Sequence, residues 1–560
     1  MTLGAAADAP PIGPLPRRGT AAGDGEGRKT HQTVNPSFAT PHRELPTRLS
    51  LVSTISLAST TADFEGSLRN MRNHRPDARQ RDGGLARVLD WLDGRTNFER
   101  VPVPAGTTPP FGLAGVRRLL ARLGNPHLRY PVAHVAGTKG KGSTVAMLAA
   151  ILQDAGHRVG RYLSPHVHSI TERISIDGVP IAPMEMVAAF ETLMPVVDDL
   201  DQAAAAGRRR GPTWFEVMTA AAFVHFARAK VDVAVLETGL GGRLDATNVS
   251  KPTVTVITSI SRDHTRLLGS TLAKIAGEKA GIIKRGCPII SGVMQPSARR
   301  VITATADRRR APLRQLGRDF AVHVAQPAAD ADPLAGPTFD LDVRGRDAPL
   351  RGLTVAMPGR HQADNAALAV VAALHLDARG IRVTEAAIAS GLARTTLPAR
   401  TERLGERPLV IVDAAHNVAS MRSLLDTLRG VLERHRPRAL VFAASADKEI
   451  EKMLATAAGL FETVVVTRYL KNPRAAAIPR LEAACAAAGL PRPLTAESPA
   501  AALATARSRV GPCGLVVVAG SFFLAAEVGL GGGSHEQAKR PRENGVDLGR
   551  KAGRHRPRRG

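Results

Sequence analysis

The run His134-Val135-Ala136-Gly137-Thr138-Lys139-Gly140-Lys141-Gly142-Ser143-Thr144 sets three glycines, two lysines and three hydroxyls between an apolar stretch and a helical one. Backbone N–H groups at such glycines can approach phosphate oxygens, and a helix beginning there adds the positive end of its dipole. Lys141 stands where a lysine neutralises β- and γ-phosphates, and Ser143 or Thr144 where a hydroxyl reaches Mg²⁺. The spacing departs from G-x-x-x-x-G-K-[ST]: Val135 takes the first glycine's place and Gly142 follows Lys141. The plain alternative is a glycine-rich turn capped by Ser143.

A second group of polar residues falls at the ends of apolar runs. Ser164-Pro165-His166 closes one run, Glu237 the next, Ser261-Arg262-Asp263-His264 a third, and Asp413 with His416 a fourth. In open α/β sheets, ligands bind outside the carboxyl ends of the strands, so these groups are expected to converge beside the glycine-rich loop. Glu237 is the carboxylate placed to hold magnesium, which prefers oxygen ligands. Taken singly, each is an ordinary loop cap or turn former. Lys279, in Glu278-Lys279-Ala280-Gly281-Ile282, reads on its own as a surface lysine paired with a neighbouring carboxylate.

The elements that must position these groups alternate. Pro131–Ala136, Val159–Leu163, Val231–Leu236 and Val254–Ile260 read as strands, and Arg173–Ile176 opens a hairpin-like stretch. Ser143–Ala155 and Trp214–Ala229 read as helices, and Asp201–Gly211 as an irregular loop. Short β-branched runs between helices predict a parallel sheet covered on both faces. A second, smaller α/β unit follows Arg400. Its expected strands are Leu409–Val412, Ala439–Ala443, Thr463–Thr467 and Leu515–Ala519, with helices around Ser420–Leu432 and Ala475–Ala488.

Residues 1–80 are expected to be a disordered extension, with a true start near Met71, just before the helix Leu85–Leu92. Residues 531–560 are expected to form a disordered basic tail.

The 560 residues, 44% of them hydrophobic, can bury more than one core. The net charge of +26 raises nucleic acid as a partner. Nine Lys or Arg against three Asp or Glu in the tail supply +6, residues 1–70 supply +1, and +19 is spread over 71–530. A diffuse basic surface without interleaved aromatics suits small polyanions better than a nucleic-acid strand, leaving only non-specific binding through the tail. Cys287, Cys485 and Cys513 lack metal-ligand spacing and read as thiols of a reducing compartment. No apolar run reaches the ~18 residues of a membrane span. A cytoplasmic protein is expected.

Six motifs occur in order: Gly137–Thr144; Ser164-Pro165-His166; Glu237–Asn248; Asp263-His264-Thr265; Glu278–Ile282; and Asp413-Ala414-Ala415-His416-Asn417. The set resembles the folylpolyglutamate synthase/dihydrofolate synthase family of the Mur ligase superfamily, from about Leu85 to Val528. The resemblance implies an α/β fold: a P-loop ATPase domain with a mostly parallel sheet over 81–395, then a smaller Rossmann-like ligase domain over 396–530. It implies an ADP-forming ligase that joins L-glutamate to a folate carboxylate, using ATP, two magnesium ions and either tetrahydrofolate or dihydropteroate as acceptor. The protein is expected to act as a monomer.

Carried over residue by residue, Thr138, Lys139, Gly140, Lys141, Gly142, Ser143, Asn365, Arg400, Asp413 and His416 would bind ATP. Ser164, Glu237 and His264, with Ser143, would hold the metal. Lys141, Lys279 and His264 would be catalytic, Lys279 as a carbamate. Thr213, Trp214, Phe215, Glu216, Leu244, Asp245 and Ala246 would contact the pterin. Lys139 replaces the commoner asparagine, Trp214 a Tyr or Phe, and Ala399, Ala414 and Val418 replace Gly, Gly and Pro. The other readings are a Mur-type ligase acting on a UDP-sugar, a P-loop kinase or motor ATPase, and a nucleic-acid-binding ATPase.

Overall fold

The computed structural model describes residues 78–101, 112–207, 210–328 and 330–529, so the expectations for the basic tail and for residues 1–77 of the extension lie outside them, while residues 78–80, expected to be disordered, are helical. The first helix of the described residues, α1 (Ala78–Asp93), contains the expected Leu85–Leu92 segment.

The first sheet has eight strands: β1 (Val132–Ala136), β2 (Val159–Tyr162), β3 (Ile174–Ile176), β4 (Val179–Pro180), β5 (Val233–Glu237), β6 (Val254–Ile257), β7 (Ile289–Ser291) and β8 (Leu313–Gln315), in the order β4-β3-β2-β5-β1-β6-β7-β8. It is parallel from β2 to β8, with β3 and β4 forming an antiparallel edge. Every residue of β1 and β5 is buried, which is why both read as largely apolar runs, interrupted only by His134 and ended by Glu237.

Alternate residues of β1 serve opposite layers. Ala133 and Val135 pack with α2 (Lys141–Asp154) and α6 (His361–Asp377), through side chains such as Val145, Leu148, Ala366 and Val370. Val132 packs on the other face with α4 (Trp214–Arg228), through Val217, Met218 and Phe223. Helix α2 is buried without interruption from Gly142 to Leu152, because α6 and α7 (Glu385–Arg394) cover the side turned from the sheet. A helix buried all round shows no polar stripe.

The segment read as a loop from Asp201 to Gly211 is corrected. Helix α3 (Pro183–Ala205) continues through Gln202–Ala205, where alanines have the highest helix propensity and Asp201 is tied to Arg95 at 2.9 Å. The loop begins only at Ala206.

A three-stranded antiparallel sheet, β9 (Phe320–Val324), β10 (Thr338–Val343) and β11 (Leu350–Thr354), was not anticipated. Phe339, Leu341, Leu350 and Leu353 join the α2–α6 core.

The second large sheet has β12 (Glu402–Glu406), β13 (Leu409–Val412), β14 (Arg438–Phe442), β15 (Thr463–Val466), β16 (Leu494–Thr495) and β17 (Leu515–Ala519), in the order β12-β13-β17-β14-β15-β16. All pairings are parallel except that of edge strand β12. The expected helix Ser420–Leu432 is two helices, α8 (Val418–Thr427) and Arg429–Arg434. Cys287, Cys485 and Cys513 are free thiols, the first two buried. No helix among the described residues is long and apolar enough to cross a membrane.

Candidate active site

The strands of both large sheets end on one cavity of about 1280 Å³. Gly137 to Ser143 form its floor. Gly140 has φ +82, and a Cβ there would lie 2.1 Å from Asn365 Oδ1, so glycine is needed both for the backbone and for the close approach of α6. The loop is pinned from the end of β6. Thr138 N donates to Ser259 O at 2.7 Å, Thr258 Oγ1 donates to Lys139 O at 2.6 Å, and Lys139 N donates to Ser259 Oγ at 3.1 Å. No side chain caps α2 at Gly140. Its first-turn amides therefore face the cavity as an anion site.

Lys141 Nζ lies 3.5 Å from Glu237 Oε1, and Glu237 Oε2 accepts from Ser164 N at 3.1 Å. Burial raises the Glu237 pKa, and the Lys141 charge opposes that rise. The carboxylate of Glu237, the hydroxyls of Ser143 and Ser164 and the imidazole of His264 all line the cavity. Among the described residues no group of three or more His, Cys, Asp or Glu side chains is arranged to hold a metal ion by itself. One carboxylate with hydroxyl oxygens suits magnesium, which keeps several waters and takes phosphates as further ligands instead of an all-protein cage.

Lys279 is not on the surface, correcting the reading of it as an exposed, paired lysine. It sits in the last turn of α5 (Leu272–Ala280), 4% exposed, with Nζ donating to Gly137 O at 2.6 Å. The neighbouring Glu278 pairs instead with Arg243. Burial first, and then the Lys141 charge, lowers the Lys279 pKa to about 7.

Asp263 joins the two sheets. It accepts from Lys448 Nζ at 2.8 Å and Asn417 Nδ2 at 2.9 Å, and pairs with Lys139 Nζ at 3.3 Å. Lys139 Nζ also meets His416 Nε2 at 2.9 Å, while His416 Nδ1 faces Ala414 O at 2.8 Å. Burial and the Lys139 charge hold His416 at about 4, so it is neutral; Nδ1–H donates to the carbonyl and Nε2 accepts from the ammonium. Lys139 thus spends its charge on this link as well as beside the loop.

Asp413 accepts from Thr401 N at 2.9 Å, and the Arg400 guanidinium lies 5.0 Å from the Phe522 ring centre. Ala399 and Thr401 have φ of +52 and +51. Side chains rarely adopt that region, at a cost of about 1–2 kcal/mol each. Ala399, at a position where glycine was expected, therefore carries strain beside Arg400. Val418 is harmless, because Asn417 caps α8 by accepting from Ser420 N at 3.0 Å.

At the far end of the cavity, Thr213 caps α4, and Glu216 is held by Arg210 at 2.7 and 3.0 Å. Thr213, Phe215, Glu216, Leu244, Asp245 and Ala246 line the wall. Trp214 does not. It is 3% exposed, its Nε1 donates to Asp93 Oδ1 at 3.2 Å, and Arg173 lies over its ring at 4.8 Å. One helical position separates the two aromatics, a rotation of about 100°, and it is Phe215 that faces the cavity.

Every other site residue expected from the sequence lines this cavity, including Asn365, Arg400, Asp413 and His416. Lys448 and the bridging role of Asp263 were missed. Lys448 follows the carboxyl end of β14, so the strand-end rule that located the other groups points to it as well.

Residues 135–373 match the Mur ligase middle domain, and residues 399–522 the Mur ligase glutamate ligase domain. The dihydrofolate synthase/folylpolyglutamate synthase of Bacillus subtilis is 41% identical over 367 residues, which cover 65% of this chain and 80% of that protein. Among solved structures, Mycobacterium tuberculosis folylpolyglutamate synthase complexed with ADP aligns at 35% identity and a TM-score of 0.72, covering 81% of this chain and 99% of that one. E. coli FolC in complex with DHPP and ADP aligns at 31% identity and a TM-score of 0.66, covering 79% and 96%.

Proposed function

The chain belongs to the folylpolyglutamate synthase/dihydrofolate synthase family of Mur ligases, and from that premise we propose that it joins L-glutamate to a folate carboxylate and also to dihydropteroate. The observation that carries this reading is the single cavity shared by the glycine-rich loop, Glu237, Lys279 and the Phe215–Asp245 wall. The reaction is ATP-dependent and ADP-forming. A carboxylate oxygen of the acceptor attacks the γ-phosphorus of ATP, ADP leaves, and an acyl phosphate remains. The amine of glutamate then attacks the acyl carbon and phosphate departs.

The domains are assigned as 81–395 for ATP and 396–530 for ligation, with Arg400, Asp413 and His416 reaching ATP from the second. Lys141 and the amides at the start of α2 hold the phosphates in line and offset their charge. Ser143, Ser164, Glu237 and His264 would hold two magnesium ions, which when bound would neutralise charge developing on the phosphoryl group. Lys279 acts as a carbamate. The Asp263 link holds the two domains over the cavity and excludes water from the acyl phosphate. The enzyme works as a cytoplasmic monomer.

Purified protein given ATP and glutamate should make an amide with dihydropteroate and with tetrahydrofolate but not with a UDP-muramoyl acceptor. Product from the UDP-sugar alone would replace this reading with the cell-wall one. The wall residues supply a finer test. Phe215→Ala should raise KM for either pterin acceptor about tenfold through lost ring contact, whereas Trp214→Phe should leave KM unchanged and lower only Tm. A KM that followed Trp214 instead would misplace the pterin wall.

A further inference from the structure

His134 lies in the glycine-rich motif, yet it touches neither the phosphate floor nor the cavity. It is fully buried on β1, and its Nε2 lies 2.8 Å from Thr247 Oγ1. Thr247 Oγ1 lies in turn 2.5 Å from Asp245 Oδ1, the carboxylate on the cavity wall. A relay of three side chains therefore runs from the core strand to the wall.

The proton positions follow from counting donors. The Thr247 hydroxyl has one hydrogen, and with Asp245 ionised that hydrogen lies on the 2.5 Å contact to the carboxylate. Thr247 Oγ1 must then accept from His134, which puts the imidazole proton on Nε2 and leaves Nδ1 bare. Nδ1 is buried without a partner. A buried acceptor in that state is tolerated better than a buried N–H, which again favours the Nε2–H form. Burial, reinforced by the Lys284 charge, holds the His134 pKa at about 3, so the ring is neutral.

Asp245 has the opposite problem. Burial raises its pKa, although it accepts from Leu240 N at 2.9 Å and Thr247 N at 3.1 Å. A donated hydroxyl proton, itself anchored by the ring, favours the ionised form and fixes which oxygen turns to the cavity.

We propose that His134 is a positioning residue for acceptor recognition: through Thr247 it orients the Asp245 carboxylate toward the N–H edge of the pterin. The assignment rests on the reading of Asp245 as a pterin contact.

His134→Leu keeps the bulk and removes the donor, while His134→Gln restores an N–H near the place of Nε2. His134→Leu should raise KM for tetrahydrofolate and dihydropteroate about tenfold, with KM for ATP unchanged. His134→Gln should return most of that loss. Thr247→Val should reproduce the rise, and the double variant should add nothing further, as for members of one network. In the wild type, long-range proton–nitrogen NMR of His134 should show a protonated Nε2 and a bare Nδ1, a result that stands even if the leucine variant fails to fold. A proton on Nδ1, or acceptor KM values indifferent to both single substitutions, overturns the proposal. A wild type with no ligase activity refutes the pterin reading instead, whereas an active but indifferent one refutes this inference alone.

Discussion

Replacing Lys141 with alanine is expected to slow ligation by roughly a thousandfold, about 4 kcal/mol of transition-state stabilisation. Phosphoryl transfer offers a protein little covalent chemistry, so the cation beside the migrating group carries much of the catalysis. Lys141 Nζ is 3.5 Å from Glu237 and opens into the same cavity as the uncapped amides of α2. No other lysine of the cavity fills its place, because Lys139 is tied to Asp263 and His416, Lys448 to Asp263, and Lys279 to the Gly137 carbonyl. The fold should survive, since Glu237 keeps the Ser164 amide as a donor and can take up a proton. Turnover and far-UV circular dichroism on the same preparation check both halves. Activity within tenfold of wild type would remove Lys141 from the phosphates.

Lys279→Ala should cost at least a hundredfold. This buried amine is held near a pKa of about 7, first by burial and then by the Lys141 charge, with Lys139, itself lowered to about 7 by burial, adding to it. A neutral amine is the form that adds CO₂; burial opposes either charge, but the Lys141 charge that disfavours the cation favours the anionic carbamate. The sign follows: as pH rises through about 7 the neutral fraction grows, so carbamate and activity should rise together in bicarbonate buffer. Carbon-13 NMR with labelled bicarbonate should show one carbamate resonance that Lys279→Arg lacks. Full activity in Lys279→Ala would overturn the role.

The parallel strands were legible because both their faces are covered. Leu409–Val412 and Leu515–Ala519 read as unbroken apolar runs rich in Val and Ile and are the strands found. The ends of those strands also located the site. The antiparallel sheet β9–β11 was not legible. Its short strands are half exposed and set among Asp, Arg, Gly and Pro, so the apolar alternation of Thr338–Val343 lacks readable partners.

Asp263 is legible as a residue but not as a bridge. Its partners come from residues 139, 417 and 448, brought together only when the two sheets meet. Trp214 shows the same limit at closer range. Its neighbours in sequence face the cavity, and only the docking of α4 against Asp93 and Arg173 decides which ring turns inward. Lys279 was misjudged on local grounds because burial of one lysine depends on packing that no adjacent residue encodes.

The account turns on a carboxylate of the acceptor being phosphorylated before the amide forms. Tetrahydrofolate labelled with ¹⁸O in its γ-carboxylate, incubated with the enzyme, ATP and glutamate, tests that directly. The predicted result is a glutamylated product formed one-for-one with ADP and inorganic phosphate carrying one ¹⁸O atom per turnover. Phosphate free of the label, or ADP released without any new amide, would contradict it.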